Sequence, residues 1–222
     1  MKIFEPHIHM FSRTTDDYER MALSGIRGIC EPAFWLGQPR TTVGSFKDYY
    51  DTLLGWERFR AGMFGIRHYC TMGLNPKEAN DDRVNQGVLE LLESYVNREG
   101  VVGVGEIGYD DMTAKEEHFF MAQLQLAIKH DLPVLIHTPH RDKLDGVKRT
   151  LDVVKESGIA PEKVLVDHNN EITIPFVKGT GHHAGFSIYP NTKMTPERMV
   201  EIFRRSGTDQ MIINSAADWG VS

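Results

Sequence analysis

Eight short apolar runs separated by helical patterns predict one α/β domain over residues 1–222, a (β/α)8 TIM barrel. Three observations support this. The runs are Ile3–His9, Ile26–Glu31, Tyr69–Leu74, Val101–Ile107, Val134–His137, Val164–His168, Ala184–Tyr189 and Met211–Asn214. Several, such as Val101-Val102-Gly103-Val104 and Pro133-Val134-Leu135-Ile136, are nearly continuous, as strands covered on both faces of a parallel sheet require. Finally, no Gly-x-Gly-x-x-Gly opens a first helix, which weighs against a doubly wound open sheet.

The helices follow in order. Thr15 caps a first helix through Leu23, ended by Gly25. Ser45-Phe46-Lys47-Asp48 resembles a capping box, after which Tyr49, Leu53 and Trp56 share a face. Asp81 or Asp82 opens a third, striped by Val84, Val88, Leu91, Leu92 and Tyr95. Thr113-Ala114-Lys115-Glu116 is a capping box for a fourth, carrying Phe120, Leu124, Ala127 and Ile128. Leu144, Val147, Leu151 and Val154 form a fifth, stopped by Gly158, while Pro175 makes Ile172–Lys178 a poor sixth. Thr195 caps a seventh, with Pro196 in its first turn and Gly207 beyond it. The eighth strand ends near Asp218, so the chain has no residues for the eighth helix of a full barrel. Outward-facing Met211 and Ile213 are expected to be exposed.

Composition narrows the class. The chain is 41% hydrophobic and 25% charged, ordinary for a globular protein, and its net charge is −6. Its lysines and arginines are scattered, which argues against a passive nucleic-acid binder, although bound cations leave a metal-dependent nuclease open. Cys30 and Cys70 are read as buried free thiols in a reducing compartment. Glu5 and His7 break the first apolar run, so no signal peptide is recognised, and no run approaches a membrane span. A cytoplasmic location is expected.

The chemistry is expected where barrel enzymes place it, at the C-terminal ends of the strands. His7 and His9, two residues apart on an extended segment, share a face and can hold one ion. Later strand ends supply Glu106, His137, His168 and Asp218. Each alone has an ordinary explanation as a hydrogen-bonded core histidine, a rim carboxylate or a helix cap; six together point to metal. Nitrogen and oxygen ligands suit Zn²⁺, Mn²⁺, Fe²⁺ or Co²⁺ better than Ca²⁺. One catalytic zinc needs three protein ligands, whereas two metals bridged by a carboxylate use all six.

The order His-x-His, Glu, His, His, Asp on a barrel resembles the amidohydrolase superfamily and, within it, the TatD family of metal-dependent hydrolases. Gly105-Glu106-Ile107-Gly108-Tyr109-Asp110 resembles that family's fourth-strand motif. Gln123-Leu124-Gln125-Leu126-Ala127, followed by Leu132-Pro133-Val134-Leu135-Ile136-His137, resembles its next helix and strand. The resemblance implies that His7, His9, Glu106 and Asp218 hold one metal and that Glu106, His137 and His168 hold the other. Asp218 would orient and deprotonate the attacking water, making Asp218 and Glu106 the catalytic carboxylates. It implies attack by a metal-bound hydroxide on a phosphoester, including a nucleic-acid bond.

Departures from the family concern the substrate. Gly73-Leu74-Asn75-Pro76 carries Asn75 where the family usually has histidine. Thr138-Pro139-His140 separates His137 from Arg141, and Ala216-Ala217-Asp218 replaces Glu-Thr-Asp. An amide or lactone hydrolase of small-molecule metabolism is therefore an alternative, and a catalytically weak barrel acting as a binding module is another. Asn75, Glu31, Arg141 and Tyr189 are the substrate-binding candidates, with Arg141 the preferred anion contact. Arg40 and Asn169 are further rim candidates. His182-His183, His118 and His130 are read as surface residues, and Trp35 and Trp56 as packing the core or the mouth.

Overall fold

The computed structural model describes residues 1–35, 37–189 and 193–217. Eight parallel strands pair in strict chain order: β1 (Ile3–Glu5), β2 (Ile26–Pro32), β3 (Arg67–Met72), β4 (Val101–Gly108), β5 (Val134–His137), β6 (Val164–Val166), β7 (His183–Ser187) and β8 (Met211–Asn214). A parallel bridge between Ile8 and Ala216 joins the first and last strand ends. In it the His9 amide donates to the Ala216 carbonyl (2.9 Å) and the Ala216 amide to the His7 carbonyl (2.9 Å). The chain is thus a (β/α)8 barrel, as its sequence predicts.

The described helices are α1 (Thr15–Leu23), α2 (Val43–Thr52), α3 (Arg58–Met63), α4 (Pro76–Ala79), α5 (Asn85–Glu93), α6 (Ala114–Lys129), α7 (Lys143–Ser157), α8 (Ile174–Val177) and α9 (Pro196–Ser206). Several starts differ from expectation. Thr14, not Thr15, caps α1, and Thr42, not Ser45, caps α2 by accepting the Ser45 amide. A π-helical turn over Leu53–Glu57 then carries α2 into α3, so the chain stays helical past the predicted face. Asn75 caps the unforeseen α4, and α5 begins at Asn85, after Asp81 and Asp82. The capping box of α6 and the Thr195 cap of α9 fall where predicted, because Thr-x-x-Glu and Thr-Pro leave little choice of start.

Among the described residues no helix follows β8; the last, α9, precedes it. Ile213 on the outer face of β8 is 43% exposed, while Met211 is half-buried against the main core. That core fills the layer between the strands and the helices, with Val104, Ile107, Ile136, Val166 and Phe186 from the barrel wall meeting Phe120, Leu124 and Val147. A second cluster (Ile8, Met10, Tyr18, Ile29, Ala61, Ile66, Tyr189, Ala217) seats the β1 exit against α1 and α3. Trp56 does not pack the core as expected: it stacks on Phe59 at the surface. No described helix is long and apolar enough to cross a membrane.

Candidate metal centre

Five of the six expected ligands lie at the C-terminal mouth of the barrel; Asp218 lies outside the described residues. His7 and His9 occupy the extended segment after β1, held by the Ala216 bridge on one side and by the Ile8 amide on the Cys30 carbonyl (3.1 Å) on the other. Glu5 tightens the same corner, one carboxylate oxygen accepting the amides of His7 (3.1 Å) and Ser215 (3.2 Å). Burial pushes the Glu5 pKa up to about 7 in spite of those bonds. Glu106 projects from β4, beside the close approach of β3. A Cβ on Gly73 would stand 2.8 Å from the Gly105 carbonyl carbon, so only glycine lets the β3 exit pass. Gln123 of α6 then fixes that exit, accepting the Leu74 amide (2.7 Å) and donating to the Leu74 carbonyl (3.2 Å), which sets Asn75 beside the centre.

The side chains converge on Glu106. Its Oε1 lies 3.5 Å from His7 Nε2, 3.6 Å from His168 Nε2 and 3.7 Å from His137 Nδ1; its Oε2 lies 4.0 Å from His9 Nε2. Those spacings are too long for good hydrogen bonds. Among the described residues, Asn75 Nδ2 donates to Oε2 at 3.4 Å. Burial favours the neutral acid, yet His137, His168 and His7 around it hold the Glu106 pKa well below the usual carboxylate range.

A hydrogen-bonded chain behind the centre fixes the imidazoles. Asn214 Nδ2 donates to both oxygens of Asp167 (3.0 Å each), which turns Asn214 Oδ1 toward Ser187. A carbonyl only accepts, so the Ser187 hydroxyl donates to it (2.8 Å) and must accept from His168 Nδ1 (2.7 Å). Asp167 Oδ2 likewise accepts from His7 Nδ1 (2.5 Å). Both histidines therefore present Nε2 lone pairs toward Glu106, with each other ring nitrogen bonded behind, as in a typical histidine metal site. Burial, with Lys193 nearby, brings the His168 pKa down to about 3, so its ring is neutral at neutral pH. Burial, the largest single influence, would lower His7, but the Asp167 bond together with the charges of Asp167 and Glu106 raises its pKa, so a cation at Nε2 competes with a proton. Gly185 completes the arrangement, because the Asp167 carboxylate occupies the place a Cβ would take there.

These residues fit divalent metal. His137 Nδ1 is buried with no hydrogen-bond partner, a cost that coordination removes. Donor atoms of His7, Glu106 and His168 lie within 4.8 Å of one another. His7 Nε2 and His9 Nε2 are 3.0 Å apart, a spacing that suits two ligands of one ion at about 2.0–2.1 Å. Phe34 stacks on His9 (centroids 4.0 Å apart) and sets its ring plane.

Two clefts meet at the centre. The main one, about 260 Å³, is bounded by Glu106, His137 and His168 below, Phe34 and Trp35 on one side, and Asn75, Lys193 and the Lys77–Asp110 ion pair (3.3 Å) at the mouth. The side cleft, about 200 Å³, shares His140, His168 and Lys193 with it and runs past Lys143 and Asn170 toward Arg198.

The remaining expected contacts fall unevenly. Asn75 lines the main cleft and Asn169 the side cleft. The expectations for Glu31, Arg141, Tyr189, Arg40 and His182 are corrected. Glu31 does not face the pocket; it is fully buried, accepting the amides of Met10 (2.6 Å) and Phe11 (3.1 Å) and pairing with His68 Nε2 (2.9 Å). Arg141 points to solvent, 78% exposed and paired with Asp111, because three residues after His137 carry it beyond the rim. Tyr189 is buried with Ile8, Met10 and Ala217, its hydroxyl without a hydrogen-bond partner. Arg40 is buried against Glu78 (2.8 Å) between the rings of Phe46 and Tyr49. His182, expected at the surface, is 8% exposed.

Sequence reasoning missed Asp167, Ser187, Asn214, Lys143 and Lys193. Asp167 precedes an expected ligand, and strand alternation sends adjacent residues to opposite faces. His168 has φ +60°, outside strand geometry, and the two neighbours act on the same centre. Ser187 and Asn214 stand at the ends of β7 and β8 and carry the same positional signal as the recognised ligands.

A barrel whose C-terminal mouth gathers four imidazoles around a buried carboxylate belongs to the metal-dependent hydrolases of this architecture. Comparison with known proteins narrows it: the sequence profile of the TatD related DNase family matches residues 6–216, and the chain belongs to that family. An uncharacterized metal-dependent hydrolase of Methanocaldococcus jannaschii is 28% identical over 205 residues, 91% of this chain and 79% of that protein. The crystal structure of a TatD-like protein from Archaeoglobus fulgidus is similar with a TM-score of 0.81 and 25% identity, over 96% of this chain and 85% of that one. A TatD homolog from Escherichia coli K12 shares the fold with a TM-score of 0.66 and 20% identity, covering 98% of this chain and 80% of its own. The chain is a TatD-family metal-dependent hydrolase.

Proposed function

We propose that this protein hydrolyses phosphoester bonds at a binuclear centre, with His7, His9, Glu106 and Asp218 holding one divalent ion and Glu106, His137 and His168 the other. The observation that carries the reading is the charge of the mouth. In a chain of net charge −6, Lys143 and Lys193 border the clefts over the histidine cluster, beside Lys77, which is paired with Asp110 of the same lining (3.3 Å). An anionic substrate is what such a mouth attracts, and a nucleic-acid strand is one such substrate. Zn²⁺, Mn²⁺, Fe²⁺ or Co²⁺ bound here would supply Lewis acidity and lower the pKa of a coordinated water toward about 7.

The chain's own residues do the rest. Asp167 and Ser187 hold His7 and His168 with Nε2 forward. Asn75 keeps one Glu106 oxygen turned toward the mouth. Asp218 orients and takes the proton of the attacking water. Phe34 and Trp35 wall off one side and exclude bulk water. That aromatic wall also favours the second reading, hydrolysis of an amide or lactone in a small molecule stacked against it.

Elemental analysis tests the centre. Wild type should carry about two transition-metal ions per chain, and His137→Ala distinctly fewer. A screen of phosphodiesters and phosphomonoesters, then lactones and amides, tests the bond. Metal-replete enzyme that cleaves lactones but no phosphoester would transfer the assignment to the second reading.

A further inference from the structure

Three segments meet at the mouth of the main cleft, and buried side chains tie them together. The segment after β2 carries Phe34 and Trp35. Its Phe34 carbonyl accepts from Arg40 Nη2 (2.7 Å), and Arg40 pairs with Glu78 of α4 (2.8 Å). The segment after β4 carries Asp110. Fully buried Glu116 accepts the Asp110 amide with one oxygen (3.1 Å) and Asn80 Nδ2, at the end of α4, with the other (2.6 Å). The short helix α4 itself starts from Asn75, whose side chain accepts the Lys77 amide (3.1 Å). Lys77 stands where the three segments meet. Its ammonium lies 3.3 Å from Asp110 Oδ2 and 4.8 Å from the centroid of the Trp35 ring. An ion pair and a cation–π contact thus share the charge, so Lys77 offers an incoming anion little. Its side chain is 47% exposed, and a pair so open contributes little to folding. Its consequence lies in the shape of the cleft. The indole it holds bounds the space over Glu106, His137 and His168. That space, about 260 Å³, is smaller than the roughly 300–1,000 Å³ of ordinary small-molecule pockets.

We propose that Lys77 determines substrate size: clasped between Asp110 and Trp35, it fixes the indole as a wall and restricts hydrolysis to substrates with a small group beside the scissile bond. Lys77 is a positioning residue that acts through Trp35. The inference needs the reaction to occur at the Glu106 centre and holds for a phosphoester, a lactone or an amide alike. A loosened indole would widen the cleft and admit bulk that the clasped one turns away.

Substrate pairs matched in the reacting bond but different in bulk test this: methyl and cyclohexyl p-nitrophenyl phosphate, and γ-butyrolactone with γ-nonalactone. Metal-replete wild type, Lys77→Met, Trp35→Ala and the double variant are compared, with thermal melting and elemental analysis verifying fold and metal content. Lys77→Met keeps the aliphatic stem and removes the charge. The expected result is a kcat/KM ratio, bulky over small, raised at least about fivefold in Lys77→Met and by no less in Trp35→Ala. Adding Lys77→Met to Trp35→Ala should change the ratio no further, because both act through one wall. Should Trp35→Ala fail to fold, Asp110→Asn, which releases the ammonium and keeps the indole, should shift the ratio the same way. Acrylamide quenching of Trp35 fluorescence, taken as the difference from each variant's Trp35→Phe counterpart, should rise in Lys77→Met with no substrate present. An unchanged ratio or unchanged quenching in Lys77→Met would overturn the assignment. So would a KM raised equally for both members of a pair and raised again in the Trp35→Ala background, the behaviour of a lysine that binds substrate itself. Failure of the phosphoester reading registers separately, as lactones cleaved and phosphodiesters not, and the bulk preference is then read from the lactone pair. A metal-replete wild type that cleaves neither pair would overturn both readings.

Discussion

Glu31 and Glu106 look alike until their partners are compared. Both stand in the C-terminal half of a barrel strand, both are buried at 0 and 2% exposure, and both face histidine. Glu31 is satisfied by its own protein: two backbone amides and His68 reach it at 2.6–3.1 Å. Among the described residues, Glu106 has a long bond from Asn75 and four imidazoles held at 3.5–4.0 Å. Position and burial therefore do not distinguish a structural acid from a ligand. Unmet acceptor capacity does, because a buried carboxylate without donors costs several kcal/mol unless a cation joins it.

The sharpest way to break the comparison is to neutralise Glu106. Glu106→Gln should lower hydrolase activity on the order of a thousandfold and deplete metal, while the chain still melts cooperatively. Full metal content in this variant, measured by elemental analysis, would place the acid outside the centre. Next comes the group behind the ligands. Asp167→Asn puts an N–H against His7 Nδ1 and drives the proton to Nε2, so metal affinity in chelator competition should fall about 10–100-fold. An unchanged affinity would mean that Asp167 does not set the tautomer. Glu31→Ala should act on stability instead. Stranding the Met10 and Phe11 amides costs about 2 kcal/mol, seen as a melting temperature about 4–8 °C lower, with metal retained per folded chain. The smallest effect belongs to Arg141→Ala. Its exposed pair with Asp111 should leave stability within about 0.5 kcal/mol and activity unchanged, and a large rise in KM would return Arg141 to the substrate.

The barrel is legible in the sequence because its strands are apolar on both faces and its helices carry strong caps at Thr113 and Thr195. The ligands are legible because strand ends are a countable set of positions. What escapes depends on approaches between distant segments. Glu31 stands out at its strand end, but its partners come from residues 10, 11 and 68, and no local pattern announces them. Asp167 is hidden by the positive φ of His168, and Lys143 by an inward turn at the start of α7 that periodicity does not encode. Charge alone favours Arg141, and charge says nothing about reach.

The Ile8–Ala216 bridge has a consequence in time. His7 and His9 receive backbone partners from Ala216, made 207 residues after His9. At about 5–20 residues per second, the ribosome keeps the two histidines waiting roughly 10–40 s for the segment that fixes them. A nascent chain therefore carries its ligands long before it carries a centre, and loading with metal becomes an event of the finished molecule.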